Sequence, residues 1–194
     1  MLVQTQKPYF TPAQYLELEE AAEFKSEYRD GEIVPMTGGT TNHNKIAGNF
    51  CANLNFALRG QDYDIYMSDV RLWIPSYRVY TYPDIMVIQG EPIYEGTSTT
   101  TVTNPLLIGE VLSKSTRNYD SSEKFRYYRS LGTFREYILL DQYSYYVQQY
   151  AKKADGQWLL KEYEGFNAIL TLDSMDLDIS LEDIYQRVKL EVNN

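Results

Sequence analysis

Apolar residues recur every fourth position in HNKIAGNFCANLNFALRG, as Ile46, Phe50, Leu54 and Leu58, which predicts a helix that stops at Gly60. An earlier helix is expected from TPAQYLELEE, with Thr11 as N-cap and Pro12 at the first helical position. In FKSEYRDGEIVPM, the pair Asp30-Gly31 separates two short strand-like runs and reads as a hairpin. Tyr63 to Trp73 reads as strand-rich, VYTYPDIMVIQG as one further strand, EPIYEGTSTTTVTNP as a polar loop, and LLIGEVLS as a strand. A helix is expected over Asp120 to Leu131, with Asp120 and Glu123 as an acidic capping box, and then a strand in REYILLD. SYYVQQYAKKADGQWLLKEYEG reads as a second hairpin turning at Asp155-Gly156. In ISLEDIYQRVKL, Ser180 with Asp183 starts a closing helix carrying Ile184 and Val188. Hairpins and single strands separated by helices make one mixed α/β domain over residues 1–194.

Composition narrows the chemistry. With 43% hydrophobic residues over 194 positions, the chain carries enough apolar surface for a substantial core. No run of about 18 apolar residues is present, so no membrane span is expected. The opening MLVQTQKPYF lacks the apolar centre of a signal peptide, which points to the cytoplasm. One cysteine, Cys51, excludes an internal disulfide and reads as a small core residue. One histidine, His43, excludes a multi-histidine zinc site within a chain. Any metal must therefore be held by oxygen, which suits magnesium or manganese. A formal net charge of -9 argues against nonspecific coating of nucleic acid. Residues 114 to 135 run the other way, a local +4 from Lys114, Arg117, Lys124, Arg126, Arg129 and Arg135 against Asp120 and Glu123. That stretch is either a phosphate-facing surface or a solvated helix face.

The carboxylates raise the sharper question. Glu110 interrupts an otherwise apolar strand, and an unpartnered carboxylate is costly in an apolar interior. Side chains alternate along a strand, so Asp84, Met86 and Ile88 share one face, and Ile108, Glu110 and Leu112 share one face. If the two strands are neighbours, Asp84 and Glu110 lie side by side, and a divalent ion between them answers their repulsion. The plain alternative ends each acid at solvent. Lys124, four and seven residues before Tyr128 and Leu131, leans toward the protein body, aimed at an anionic site or snorkelling past Tyr128 to water. Glu27 either supplies a third carboxylate or pairs with Lys25 or Arg29. His43, at a helix start, is an ordinary first-turn residue or a neutral imidazole holding a water on the phosphate side.

Pro83-Asp84, Glu110 and then Lys124 together resemble the PD-(D/E)XK nuclease superfamily. The words YRDGEIVPM, TYPDIMVI, IGEVLSKSTRNYD, EKFRYYRSLGTFREYILLD and QWLLKEYEG are similar, more finely, to the Uma-type family of restriction-endonuclease-like proteins. The resemblance covers about Thr11 to Val188. It implies a restriction-endonuclease-like core, a central mixed β-sheet flanked by helices. It implies a magnesium or manganese ion held by Asp84 and Glu110, with Glu27 as a further acidic site residue. The lysine expected two residues after Glu110 is replaced by Leu112, and Lys124 is the matching position from the following helix. The expected activity is metal-dependent phosphodiester hydrolysis in nucleic acid, DNA before RNA, by a homodimer. Arg117, Arg126 and Arg129 would meet backbone phosphates. The competing reading is a metal- or nucleic-acid-binding protein without turnover, or a purely structural homodimer.

Overall fold

The computed structural model describes residues 8–114 and 116–190. The leader reading of the first residues therefore falls, for residues 1–7, outside the described part. Helix α1 (Pro12–Ala21) opens with a reciprocal cap: Gln14 N donates to Thr11 Oγ1 at 3.2 Å, and Thr11 N donates to Gln14 Oε1 at 2.8 Å. Strands β1 (Ser26–Arg29) and β2 (Glu32–Pro35) form the expected hairpin. Its two turn residues, Asp30 and Gly31, have φ of 40° and 103°, the double left-handed geometry that matches strand twist. Helix α2 (Thr41–Ala57) is capped by Thr40, whose Oγ1 accepts from His43 N at 3.1 Å.

The run expected as one strand from Val79 to Gly90 is two strands, β5 (Val79–Thr81) and β6 (Ile85–Gln89), in different sheets. Pro83 lies at the break, where its missing N–H ends ladder pairing. With β3 (Tyr63–Met67), β4 (Arg71–Ile74), β7 (Thr101–Val102), β8 (Leu107–Leu112), β9 (Glu136–Asp141), β10 (Tyr146–Lys152) and β11 (Trp158–Glu164), they form two sheets. The larger is mixed, in the order β11-β10-β9-β8-β6-β3, and only β8 and β9 run parallel. The smaller has the order β2-β1-β5-β4-β7. Strand β7 lies within the segment expected to be a polar loop, held by two parallel partners on β4, a pairing remote in sequence. The pair β12 (Ile169–Leu172) and β13 (Leu177–Ser180) leads into α5 (Leu181–Ile184). Ser180 caps α5 as expected, but the helix ends at Ile184, and Val188 lies beyond it.

All six residues of β8 are buried, because both faces of the large sheet are covered. Ile85, Val87, Leu107, Val111, Ile138 and Leu140 pack against α2, α5 and the β12–β13 pair. Met86, Ile88, Ile108, Leu112, Tyr137 and Leu139 pack against the smaller sheet and a helical segment. That segment comprises α3 (Arg117–Tyr119), a π-helical turn (Asp120–Lys124) and α4 (Phe125–Tyr128). It begins before Asp120, so Asp120 is an interior residue and not a cap; Ser113 Oγ accepts from Thr116 N at 3.1 Å ahead of it. Among the described residues, no helix is long and apolar enough to cross a membrane.

Candidate active site

Strands β6 and β8 are antiparallel with Ile85 opposite Gly109. One step further, that register sets Asp84 opposite Glu110. Asp84 N lies 3.3 Å from Glu110 Oε2, and Asp84 Oδ2 accepts from Val111 N at 2.8 Å. The carboxylates are thus tied across the point where the chain leaves one sheet for the other. Gly109 lets α2 approach this point, since a Cβ there would come within 3.2 Å of Phe50 Cε1.

Lys124 reaches the same place from the π turn. Its Nζ lies 3.0 Å from Glu110 Oε1, 3.3 Å from Asp120 Oδ1 and 3.4 Å from Glu27 Oε1, with the side chain 8% exposed. Tyr128 OH donates to Glu110 Oε1 at 2.8 Å from one turn further on. Glu27 faces inward from β1, and of the two expected basic partners it takes Arg29, Lys25 pairing with Asp69 instead. It pairs with Arg29 Nη2 at 2.5 Å, accepts from Thr81 Oγ1 at 2.5 Å, and stands in the carboxylate group around Lys124. The Arg29 guanidinium lies 3.7 Å from the centre of the Tyr119 ring. Tyr119 OH and Asp120 Oδ1 are buried without a hydrogen bond, the latter despite its closeness to Lys124.

The acids outnumber the bases here, and the protonation equilibria record it. Burial pushes the Glu110 carboxyl well above the usual range, and Asp84 and Asp120 add to this against the pull of Lys124. Burial opposes the charge of Lys124, but Glu110 and Glu27 hold its pKa well above that of a free lysine. With three acidic side chains within 3.4 Å, Lys124 is held toward its charged form, while burial holds Glu110 toward its protonated form. Glu27 is also opposed by burial, yet Lys124, Thr81 and Arg29 keep its pKa below the ordinary value.

His43 lies in the first turn of α2, as expected, and gains a carboxylate partner there. Its Nε2 lies 3.0 Å from Asp84 Oδ1. Burial favours the neutral ring, but the hydrogen bond to Asp84 and its charge raise the pKa above the usual histidine value. The N-terminus of α2 is fixed at the end of β8, since Thr40 Oγ1 donates to Gln142 Oε1 at 2.5 Å and Gln142 Nε2 donates to Leu112 O at 2.8 Å.

Arg117, Arg126 and Arg129 bind elsewhere. Arg117 Nη2 pairs with Asp141 Oδ2 at 2.9 Å. Arg126 lies over the rings of Tyr77 and Tyr127, and Arg129 over Phe125. Asp120 and Tyr128 are the site residues that sequence reading passed over as a cap and an apolar contact; their spacing of four before and four after Lys124 was the available signal.

Among the described residues, no group of three or more His, Cys, Asp or Glu side chains is arranged to hold a metal ion. The residues present nonetheless fit a hard divalent cation. Magnesium characteristically takes one or two carboxylates and completes its shell with water and substrate oxygens. Asp84 and Glu110 offer that pair, with the charge of Asp120 close by and a surplus of acidic groups around them.

A family model described as "Putative restriction endonuclease" matches residues 12–182. Two proteins of Synechocystis sp. are similar along nearly their whole length. Uncharacterized protein sll1609 is 44% identical over 177 residues, covering 91% of this chain and 99% of the relative. Uncharacterized protein slr1290 is 35% identical over 179 residues, covering 92% and 93%. A crystal structure from Anabaena variabilis, titled a putative nuclease belonging to DUF820, superposes with a TM-score of 0.74 at 21% identity. The match covers 91% of this chain and 97% of that one, and it shows a common fold.

Proposed function

This chain belongs to the Uma2 family, described as "Putative restriction endonuclease", and from that membership we propose that it is a divalent-metal-dependent nuclease hydrolysing phosphodiester bonds in DNA. The observation that carries the reading is the buried meeting of Glu110 and Lys124 at 3.0 Å, directly across the sheet from Asp84. Asp84 and Glu110 would hold magnesium or manganese, which when bound polarises a phosphoryl oxygen and lowers the pKa of water.

The remaining roles belong to the chain. Lys124 places a positive charge where negative charge grows on the scissile phosphate, and its burial strengthens that interaction relative to water. Tyr128 and Asp120 fix the ammonium and its partner Glu110 in place. Glu27 is immobilised by Thr81 and Arg29 and anchors Lys124 from the opposite sheet. His43 orients Asp84 through Oδ1. Backbone phosphates are assigned to Arg117, Arg126 and Arg129, of which Arg126 and Arg129 are exposed. The acting unit is taken to be a homodimer.

Glu110→Gln should abolish magnesium-dependent cleavage of plasmid and linear DNA while the circular dichroism spectrum stays that of wild type. Cleavage by that variant at the wild-type rate would refute the assignment. Comparing DNA with RNA tests the substrate, and sedimentation of the pure protein tests the dimer. The -9 net charge favours a second reading, a binding protein without turnover. Calorimetric binding of manganese that is lost in Asp84→Ala, with no cleavage of any nucleic acid, would establish that reading instead.

A further inference from the structure

A second concentration of charge lies on the far side of the smaller sheet. Successive residues of a strand face opposite ways. Thr81 turns inward to Glu27, and Tyr82, its neighbour, turns outward toward α1. There Arg71, at the start of β4, is only 6% exposed. Its Nε donates to Thr101 Oγ1 at 2.9 Å and its Nη1 to Tyr82 OH at 3.4 Å, both neutral acceptors. The guanidinium lies 5.8 Å and 5.6 Å from the ring centres of Tyr15 and Tyr80. Among the described residues, no carboxylate forms an ion pair with it, and Glu19 reaches it only through Tyr82 OH.

Two of the anions nearby are already engaged. Asp69 pairs with Lys25, and Lys25 also donates to Ser68 O at 3.0 Å. Glu19 accepts from Ser26 N at 3.0 Å and from Tyr82 OH at 2.9 Å. These groups, with Glu20 and Thr100, line a cavity of about 230 Å³ together with Arg71. A buried guanidinium with no carboxylate in direct contact is costly to maintain, and a planar two-oxygen acceptor would complete its hydrogen bonding.

We propose that this cavity is a binding site for a small monoanionic carboxylate, anchored on Arg71 and separate from the Glu110–Lys124 cluster. The guanidinium fork matches a carboxylate oxygen for hydrogen. Glu19 and Glu20 stand in the same walls and repel a second negative charge, which selects against the phosphate dianion. The site opens between α1 and the smaller sheet, so occupancy would brace Tyr82, two residues from Asp84.

The test uses the full-length protein, with acetate and inorganic phosphate titrated at constant ionic strength. Binding is followed by calorimetry and by tryptophan fluorescence, since Trp73 stacks on Tyr80 with centroids 4.1 Å apart. Acetate should bind saturably in about the millimolar range, equally with and without magnesium, and equally in Glu110→Gln. Arg71→Lys should weaken acetate by about tenfold or more, because the ammonium keeps the charge and loses the fork. If that variant does not fold, the Arg71 Nε–H resonance of the wild-type protein should shift with acetate along the same saturation curve. Non-saturable acetate binding, phosphate binding at least as tight as acetate, an unchanged affinity in Arg71→Lys, or an unmoved Arg71 resonance would each overturn the proposal.

Discussion

Replacing Lys124 by Met isolates the physics of the carboxylate cluster. The substitution nearly conserves volume and removes one ammonium that Glu110, Asp120 and Glu27 meet at 3.0, 3.3 and 3.4 Å. Because the lysine is 8% exposed and its partners 3–6%, water cannot take its place. Removing one member of a buried ion pair costs about 3–5 kcal/mol, chiefly from the charge left behind. Glu110, already held toward its protonated form, should relieve part of this by taking up a proton. Lys124→Met is therefore expected to lose about 3 kcal/mol at pH 7. The double variant Glu110→Gln/Lys124→Met should recover at least about 1 kcal/mol relative to the sum of the single changes, since the orphaned charge is gone. The assay is urea unfolding followed by circular dichroism in chelator, for wild type, both single variants and the double variant. Magnesium should then stabilise Lys124→Met more than wild type, by supplying the missing positive charge. A loss below about 1 kcal/mol in Lys124→Met, or additivity within about 0.5 kcal/mol, would show that the cluster is not electrostatically coupled.

Further expectations follow from the same contacts. Glu27 has a depressed folded-state pKa, so its ionised form stabilises the fold above the unfolded value of about 4.3 and that contribution is lost as pH falls through the folded value. The stability advantage of wild type over Glu27→Gln should thus shrink as the medium is acidified below about pH 4.3, and an advantage independent of pH in paired urea titrations would contradict this. Gly109→Ala places a methyl 3.2 Å from Phe50 Cε1 and 3.4 Å from Ile85 Cβ, and should cost about 1–3 kcal/mol, with partial recovery in the double variant Gly109→Ala/Phe50→Leu. Thermal melts of the three proteins check it, and an unchanged midpoint in Gly109→Ala would mean that α2 can recede freely.

Much of the site was legible because β-strand alternation is local and strict. The faces assigned to Met86, Ile88, Ile108 and Leu112 are those they occupy, against the smaller sheet and α4. The two hairpins were legible too, from Asp30-Gly31 and from Gly156 with φ of 85°. What escaped depended on partners distant in the chain. Strand β7 is two residues long and forms only because Arg71 and Leu72 lie alongside. Asp120 looked like a cap because Glu123 follows it, whereas Ser113, Thr116 and the packed Tyr137, whose OH donates to Asp120 O at 2.9 Å, draw the helix start back to Arg117. The partner of His43 escaped for the same reason: its place at a helix start is visible in sequence, and the Asp84 contact 41 positions away is not.

The π turn from Asp120 to Lys124 is, in counting terms, an α-helix carrying one surplus residue. Shortening it by one would leave Phe125 and Tyr128 seated on the sheet but swing everything upstream by about 100° around the axis. Asp120 and Tyr119 would then rotate away from Lys124 and Arg29, their present partners. The spacing of this segment is therefore as much a part of the site as the side chains it carries, and a deletion there would disable the cluster without altering any of its named members.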